Sequence, residues 1–196
     1  MREYIVPFSV YLVLYPLVSF FMDKQLAYTF HVIAAIILLA FYWKEYKLKF
    51  RLDSFAIATG VIIAFLWLLI ENWYPHLYSI EFIPTNTFYL ISKLAGFIII
   101  APLIEELFTR GFLMRIFISK NWRKVPIGKY TLPSFIFTVL FFGFSHNRWL
   151  SGLMAGILLN LLLYKQKRIE SCITAHLTAN LLLAVYIVAT SSWFLW

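Results

Sequence analysis

The sequence predicts an all-α fold: a polytopic integral membrane helical bundle of about seven transmembrane helices. Hydrophobic residues make up 62% of the 196 positions and charged residues only 13%, and the mean hydropathy is +0.81. A soluble domain of this size has nowhere to bury so much apolar surface, so that class is excluded. The apolar residues also gather into stretches, most of them near the roughly 20 residues that cross a hydrocarbon core. One membrane domain spanning 1–196 follows, with no internal repeat and no interdomain linker.

The stretches are 4–22, 26–43, 55–70, 88–107, 131–145, 149–164 and 173–196. The first is long, lightly charged at its start and without a small-residue cleavage site, so it reads as a retained helix and not a secretory signal. The fourth contains Pro102, which leaves a backbone carbonyl unpaired and bends the helix. The fifth and sixth have about 15 and 16 apolar residues, short for a full span, so the hairpin between them is expected to turn below the membrane surface. The connection 119–130, with Pro126 and Gly128, reads as one loop, and 72–87, with Pro75 and Pro84, as another on the opposite side. Gly152 and Gly156 on the sixth helix are spaced to let an internal neighbour approach closely.

The formal charge is +8, but its distribution points to lipid topology and not to nucleic acid. Lys44, Lys47, Lys49 and Arg51 follow the second helix, Arg115, Lys120, Arg123, Lys124 and Lys129 the fourth, and Lys165, Lys167 and Arg168 the sixth. The intervening loops carry Asp23 with Lys24, then Glu71, His76 and Glu81, then Arg148. The positive-inside rule therefore places the N-terminus in the cytoplasm and the C-terminus outside. Trp43, Trp73, Tyr74, Trp122, Trp193 and Trp196 fall near helix ends, where amphipathic rings favour the interface. Cys172 is the sole cysteine, so neither a disulfide framework nor a multi-thiolate metal site can form within one chain. His31 reads as an interfacial or packed residue and His76 as an outer-loop residue.

Ionisable side chains at membrane depth are expensive and mark functional sites. Three clusters stand out. Glu105 and Glu106 are followed by Arg110, and the four-residue spacing brings Glu106 and Arg110 together on one helix face. Glu105 lies about 100° around the helix from Glu106 and is free for chemistry. His146 closes the fifth segment four residues after Phe142. His176 and Asn180 share a face one turn apart near the start of the last helix. They suit either interhelical hydrogen bonding or stabilisation of an oxyanion.

The ordered triple Glu-Glu-x-x-x-Arg, Phe-x-x-x-His and His-x-x-x-Asn resembles the CAAX prenyl endopeptidase and bacteriocin-processing family of intramembrane proteases. The resemblance covers about residues 95–190, within a protease-like core of about 88–196; the first three helices add no motif. It implies that Glu105 and His146 activate water, that His176 and Asn180 stabilise the oxyanion, and that Glu106 and Arg110 orient the site. The run from Arg110 through Phe144-Ser145-His146-Asn147-Arg148-Trp149 to Trp196 further resembles the branch that accompanies exosortase sorting systems. The resemblance implies a bacterial or archaeal cell membrane and a membrane-associated or lipid-modified peptide or protein substrate. It implies a glutamic-type endopeptidase with no cofactor.

Three alternatives stand beside this reading. Two histidines and a carboxylate are a plausible zinc set, although no His-Glu-x-x-His helix brings two ligands and a base together. A non-catalytic membrane immunity or binding protein would keep the same scaffold. A small transporter would line a path with the same groups, but paired broken helices and repeated halves are lacking. Substrate identity and oligomeric state are open at this level.

Overall fold

The computed structural model describes residues 1–77 and 82–196, so Glu81 lies outside the described residues. Among them the chain forms seven principal helices and no strand: α1 (Arg2–Val18), α2 (Lys24–Tyr46), α3 (Ser54–Ile70), α4 (Thr87–Ile116), α5 (Leu132–Phe144), α6 (Trp149–Gln166) and α7 (Ile169–Thr190). α2, α4 and α7 are long and apolar enough to cross a membrane, with 23, 30 and 22 residues. Large apolar side chains such as Phe41 and Phe65, 76% and 62% exposed, point outward. On a bundle of this composition they form the lipid-facing surface.

Local chemistry sets the helix starts. Asp23 accepts from the N–H groups of Gln25 and Leu26 at 2.9 and 3.1 Å, Asp53 from Ala56 at 3.0 Å, and Asn86 from Tyr89 at 3.0 Å. Each side chain satisfies donors that a first turn leaves unpaired. α1 ends soon after Pro16, four residues short of the apolar stretch that suggested it. The last helix begins four residues earlier than expected and stops at Thr190, after which Trp193–Leu195 make a tight turn back over the bundle.

α4 differs most from the sequence expectation. It continues past Leu107 to Ile116 and is π-helical over Gly96–Ile100 and Leu107–Leu113. The Ala101 N–H donates to the Gly96 carbonyl, five residues back. In that register the Phe97 carbonyl faces Pro102, which has no N–H to give. Asn180 of α7 donates to it instead, at 2.7 Å.

α7 runs along α3 and also contacts α4 and α6, placing it at the centre. α5 and α6 pack closely: Gly152 lies against Gly143, and Gly156 against Val139 and Phe142. The paired glycines thus serve an internal contact, as their spacing suggests. With 13 residues, α5 is about 20 Å long, short of the roughly 30 Å core.

The basic loops meet at one end. Arg123 pairs with Glu3 at 2.8 Å, the Lys49 N–H donates to Glu170 at 2.8 Å, and Lys167 Nζ donates to the Gly128 carbonyl at 2.6 Å. At the other end Arg148 is the organising residue. Its Nε lies 2.7 and 2.8 Å from the two Glu71 oxygens, and its Nη2 donates to the Phe194 carbonyl at 2.6 Å. Trp149 Nε1 donates to the Pro75 carbonyl at 3.0 Å. The α5–α6 turn is therefore covered by segments 71–77 and 193–196.

Candidate active site

Glu105 and His146 face each other between α4 and the α5–α6 turn, with Glu105 Oε2 3.5 Å from His146 Nε2. His146 Nδ1 lies 2.6 Å from the Phe142 carbonyl. A carbonyl only accepts, so Nδ1 carries the proton, and in the neutral ring Nε2 presents a lone pair to Glu105. Glu105 Oε2 is buried and accepts no hydrogen bond among the described residues. Two acceptors thus stand opposite one another. A water, with two protons to donate, satisfies both.

Behind this pair lies a second. Glu106 and Arg110 are fully buried and joined at 3.1 Å. The same Glu106 oxygen accepts from His176 Nδ1 at 2.9 Å. Arg110 Nε donates to Asn160 at 3.2 Å, its Nη2 to the Gly156 carbonyl at 3.4 Å, and its guanidinium stacks over Phe142 at 4.3 Å. Asn160 Nδ2 in turn donates to Thr138 at 2.9 Å. A buried charge is tolerable only when paired and hydrogen-bonded, and this network gives each guanidinium nitrogen a partner.

Phe142 is the hinge between the two pairs. It packs on His146 at 4.6 Å, on His176 at 5.6 Å and on the Arg110 guanidinium. The Phe-x-x-x-His spacing therefore sets one ring against three polar partners. It also supplies the carbonyl that orients His146.

Glu105, His146, His176 and Asn180 line a single cavity of about 200 Å³. It adjoins a wider groove of about 860 Å³ between α1, α2, α4 and α5, which Glu105 also lines. Glu106 and Arg110 lie behind the wall. His176 offers Nε2 to the cavity, its Nδ1 being engaged by Glu106. Asn180 has one amide N–H committed to Phe97 and one left. Among the described residues no three His, Cys, Asp or Glu side chains gather as a metal-ligand set.

A family model described as type II CAAX prenyl endopeptidase Rce1-like matches residues 87–182. The chain carries a domain of this family. All seven motif residues fall inside the match, from Glu105 to Asn180, and the family implies a membrane-embedded protease. No curated protein and no solved structure matches the chain.

The Rce1-like domain does not build its cavity alone. Tyr11 of α1, Tyr28 of α2, and Ile63 and Trp67 of α3 line it too, and the Trp67 ring stands edge-on to His146 at 6.0 Å. Lys93, Leu195 and Trp196 complete the wall. Sequence reasoning missed these residues. Asn160 was within reach of the same logic, as an amide inside an apolar helix. The aromatic residues carried no signal, because their chemistry depends on which helices meet.

His31 is buried against Tyr11 at 4.4 Å and Tyr28 at 5.7 Å, a packed position. His76 Nε2 lies 3.1 Å from the Glu71 carbonyl, in the segment that covers the α5–α6 turn. Cys172 is fully buried, its Sγ 3.3 Å from the Leu159 carbonyl.

Proposed function

We propose that this protein is a glutamic-type intramembrane endopeptidase that hydrolyses a peptide bond of a membrane-associated or lipid-modified substrate with water activated by Glu105 and His146. The observation that carries the reading is the pair of facing acceptors, 3.5 Å apart, in a cavity shared with His176 and Asn180. A water held by both gives one proton to Glu105 as its oxygen attacks the carbonyl. The carbonyl oxygen becomes negative, and the free Asn180 N–H and His176 Nε2 lie on the wall it faces. To donate, His176 must carry a proton on Nε2 as well as Nδ1. Nδ1 faces the Glu106 carboxylate at 2.9 Å. Collapse of the intermediate returns the Glu105 proton to the leaving amine, so atoms and charge balance. The reading requires no metal.

The low-dielectric walls strengthen each of these contacts. Charged loops gathered at one end suggest an inner cell membrane with the N-terminus and those loops in the cytoplasm. The cavity then opens toward the outer half.

The test is a comparison of new protein termini in cells carrying wild type or Glu105→Gln at matched membrane levels. Termini present only with wild type establish proteolysis and name substrates. Purified protein retaining cleavage under a chelator supports the metal-free mechanism, and loss restored by zinc overturns it. Identical termini, with Glu105→Gln complementing a deletion, assign the non-catalytic binding role instead.

A further inference from the structure

Lys93 lies two turns into α4, on the wall shared by the cavity and the wider groove. Its ammonium stands over three rings: Tyr28 at 4.5 Å, Phe82 at 4.9 Å and Trp196 at 5.5 Å. Rings attract a cation but leave its three N–H donors without oxygen acceptors. Among the described residues no oxygen accepts from Lys93 and no carboxylate comes within 4.0 Å of it. Of the carboxylates nearby, Glu106 pairs with Arg110 and Glu71 with Arg148, Asp23 caps α2, and Glu105 faces His146 across the place of the water.

The surroundings add two hydroxyl donors beside Lys93. The Tyr11 and Tyr28 hydroxyls belong to the same two walls, and neither donates to an acceptor among the described residues. Gly96 permits this arrangement, because a Cβ there would collide with the Tyr28 hydroxyl. A lysine near a helix end in a membrane ordinarily extends its head toward lipid phosphates. This one lies over the rings of Tyr28 and Trp196, facing the cavity that holds Glu105.

We propose that Lys93, with the Tyr11 and Tyr28 hydroxyls, binds a carboxylate of the substrate on the outer side of the bond cleaved at Glu105. The proposal rests on the endopeptidase reading. Twelve residues of helix separate Lys93 from Glu105, about 18 Å along the axis. An extended chain covers that in about five residues. The carboxylate is therefore a terminal one or an acidic side chain within that reach.

Purified full-length Glu105→Gln protein, which leaves its ligand intact, is titrated with short labelled apolar peptides. One ends in a free carboxylate, one is amidated and neutral, and one is amidated with a single glutamate. At least one carboxylate peptide binds about tenfold more tightly than the neutral one, the scale of a hydrogen bond to a charged group. Adding Lys93→Met removes the preference while neutral binding persists as the control for folding; Lys93→Arg keeps it. Which acidic peptide is preferred separates a terminal from a side-chain carboxylate. Equal binding of all three peptides to the parent protein, or binding of none, overturns the proposal whatever the variants do. So does a preference that survives Lys93→Met, or Lys93-dependent binding of a short-chain phosphatidic acid alone. Cleavage does not enter this readout. A preference without new termini in cells would overturn the endopeptidase reading, and new termini without a preference only the Lys93 assignment.

Discussion

Asn180 of α7 donates to the Phe97 carbonyl of α4 at 2.7 Å, and Pro102 is the reason that carbonyl needs it. The π-helical register hands Phe97 to a residue with no N–H. One amide proton of Asn180 therefore holds two helices together and leaves the other facing the cavity. Of the two roles that its position in the sequence allows, this contact makes the interhelical hydrogen bond.

Asn180→Ala is expected to destabilise the protein by about 1 kcal/mol, the worth of an interhelical hydrogen bond. Pro102→Ala restores the missing N–H, so the same substitution in that background costs less. Denaturant unfolding of the four proteins in micelles gives the coupling. Additive costs would show that Asn180 does not answer the proline gap.

The Arg110 network extends to a residue outside the motifs. Asn160 accepts from Arg110 and donates to Thr138. Asn160→Leu leaves one guanidinium donor unsatisfied in a dry core and removes the bond that Thr138, still donating to the Ser134 carbonyl, accepts, a loss of about 1–3 kcal/mol. Thermal unfolding should show a lowered Tm, with Thr138→Val costing less because Arg110 keeps its acceptor. Equal losses would place the weight on Thr138.

These cases show what hydropathy and spacing reveal. Seven apolar stretches became seven helices, since burial of the backbone in lipid leaves helices as the only open-chain solution. Glu105, Phe142, His146, His176 and Asn180 meet around one cavity, with Glu106 and Arg110 behind its wall, because each four-residue spacing fixes a helix face. The π segments of α4 were invisible, for only Pro102 and Gly96 hint at them. The helices α1 to α3 carry no motif, yet Tyr11, Tyr28 and Trp67 wall the site. Aromatic residues are everywhere in this chain, and only the packing says which of them matter.

At the basic end, Asp53 caps α3 and accepts from Ser171 of α7 at 2.6 Å. Burial pushes its carboxyl pKa up, but the hydrogen bonds from Ser171 and Ala56 and the charges of Arg168 and Arg51 outweigh this. The net value lies below the ordinary 3.8. A depressed carboxyl contributes stability above its unfolded-state pKa and loses it as pH falls through the folded-state one. The Tm gap between wild type and Asp53→Ala should hold constant above about pH 5 and close on acidification below 3.8. A gap that persists at the acid end would assign the effect to the side chain's shape.

Arg148 ties the α5–α6 turn to both covering segments, through Glu71 and the Phe194 carbonyl. Arg148→Ala leaves Glu71, 5% exposed, without that partner, and should loosen segments 71–77 and 193–196 together. Amide exchange is expected to quicken in both segments while α7 stays protected. Unchanged exchange at 193–196 would show that the Phe194 contact does not restrain it.

Glu105 and Glu106 are neighbours with opposite assignments, and paired substitutions separate them. Glu105 faces the cavity and keeps its Oε2 free of hydrogen bonds; Glu106 is enclosed with Arg110 and His176. Glu105→Gln retains size and burial, so Tm should remain near wild type while peptide cleavage disappears. Glu106→Gln removes the counter-ion of a fully buried guanidinium, a loss of about 3–5 kcal/mol, and should lower Tm as well as cleavage. Arg110→Met alone is also destabilising, but combined with Glu106→Gln it should recover part of the stability, because no uncompensated charge remains. If Glu105→Gln unfolds the protein as readily as Glu106→Gln, the two carboxylates act as one structural network and the division of roles fails.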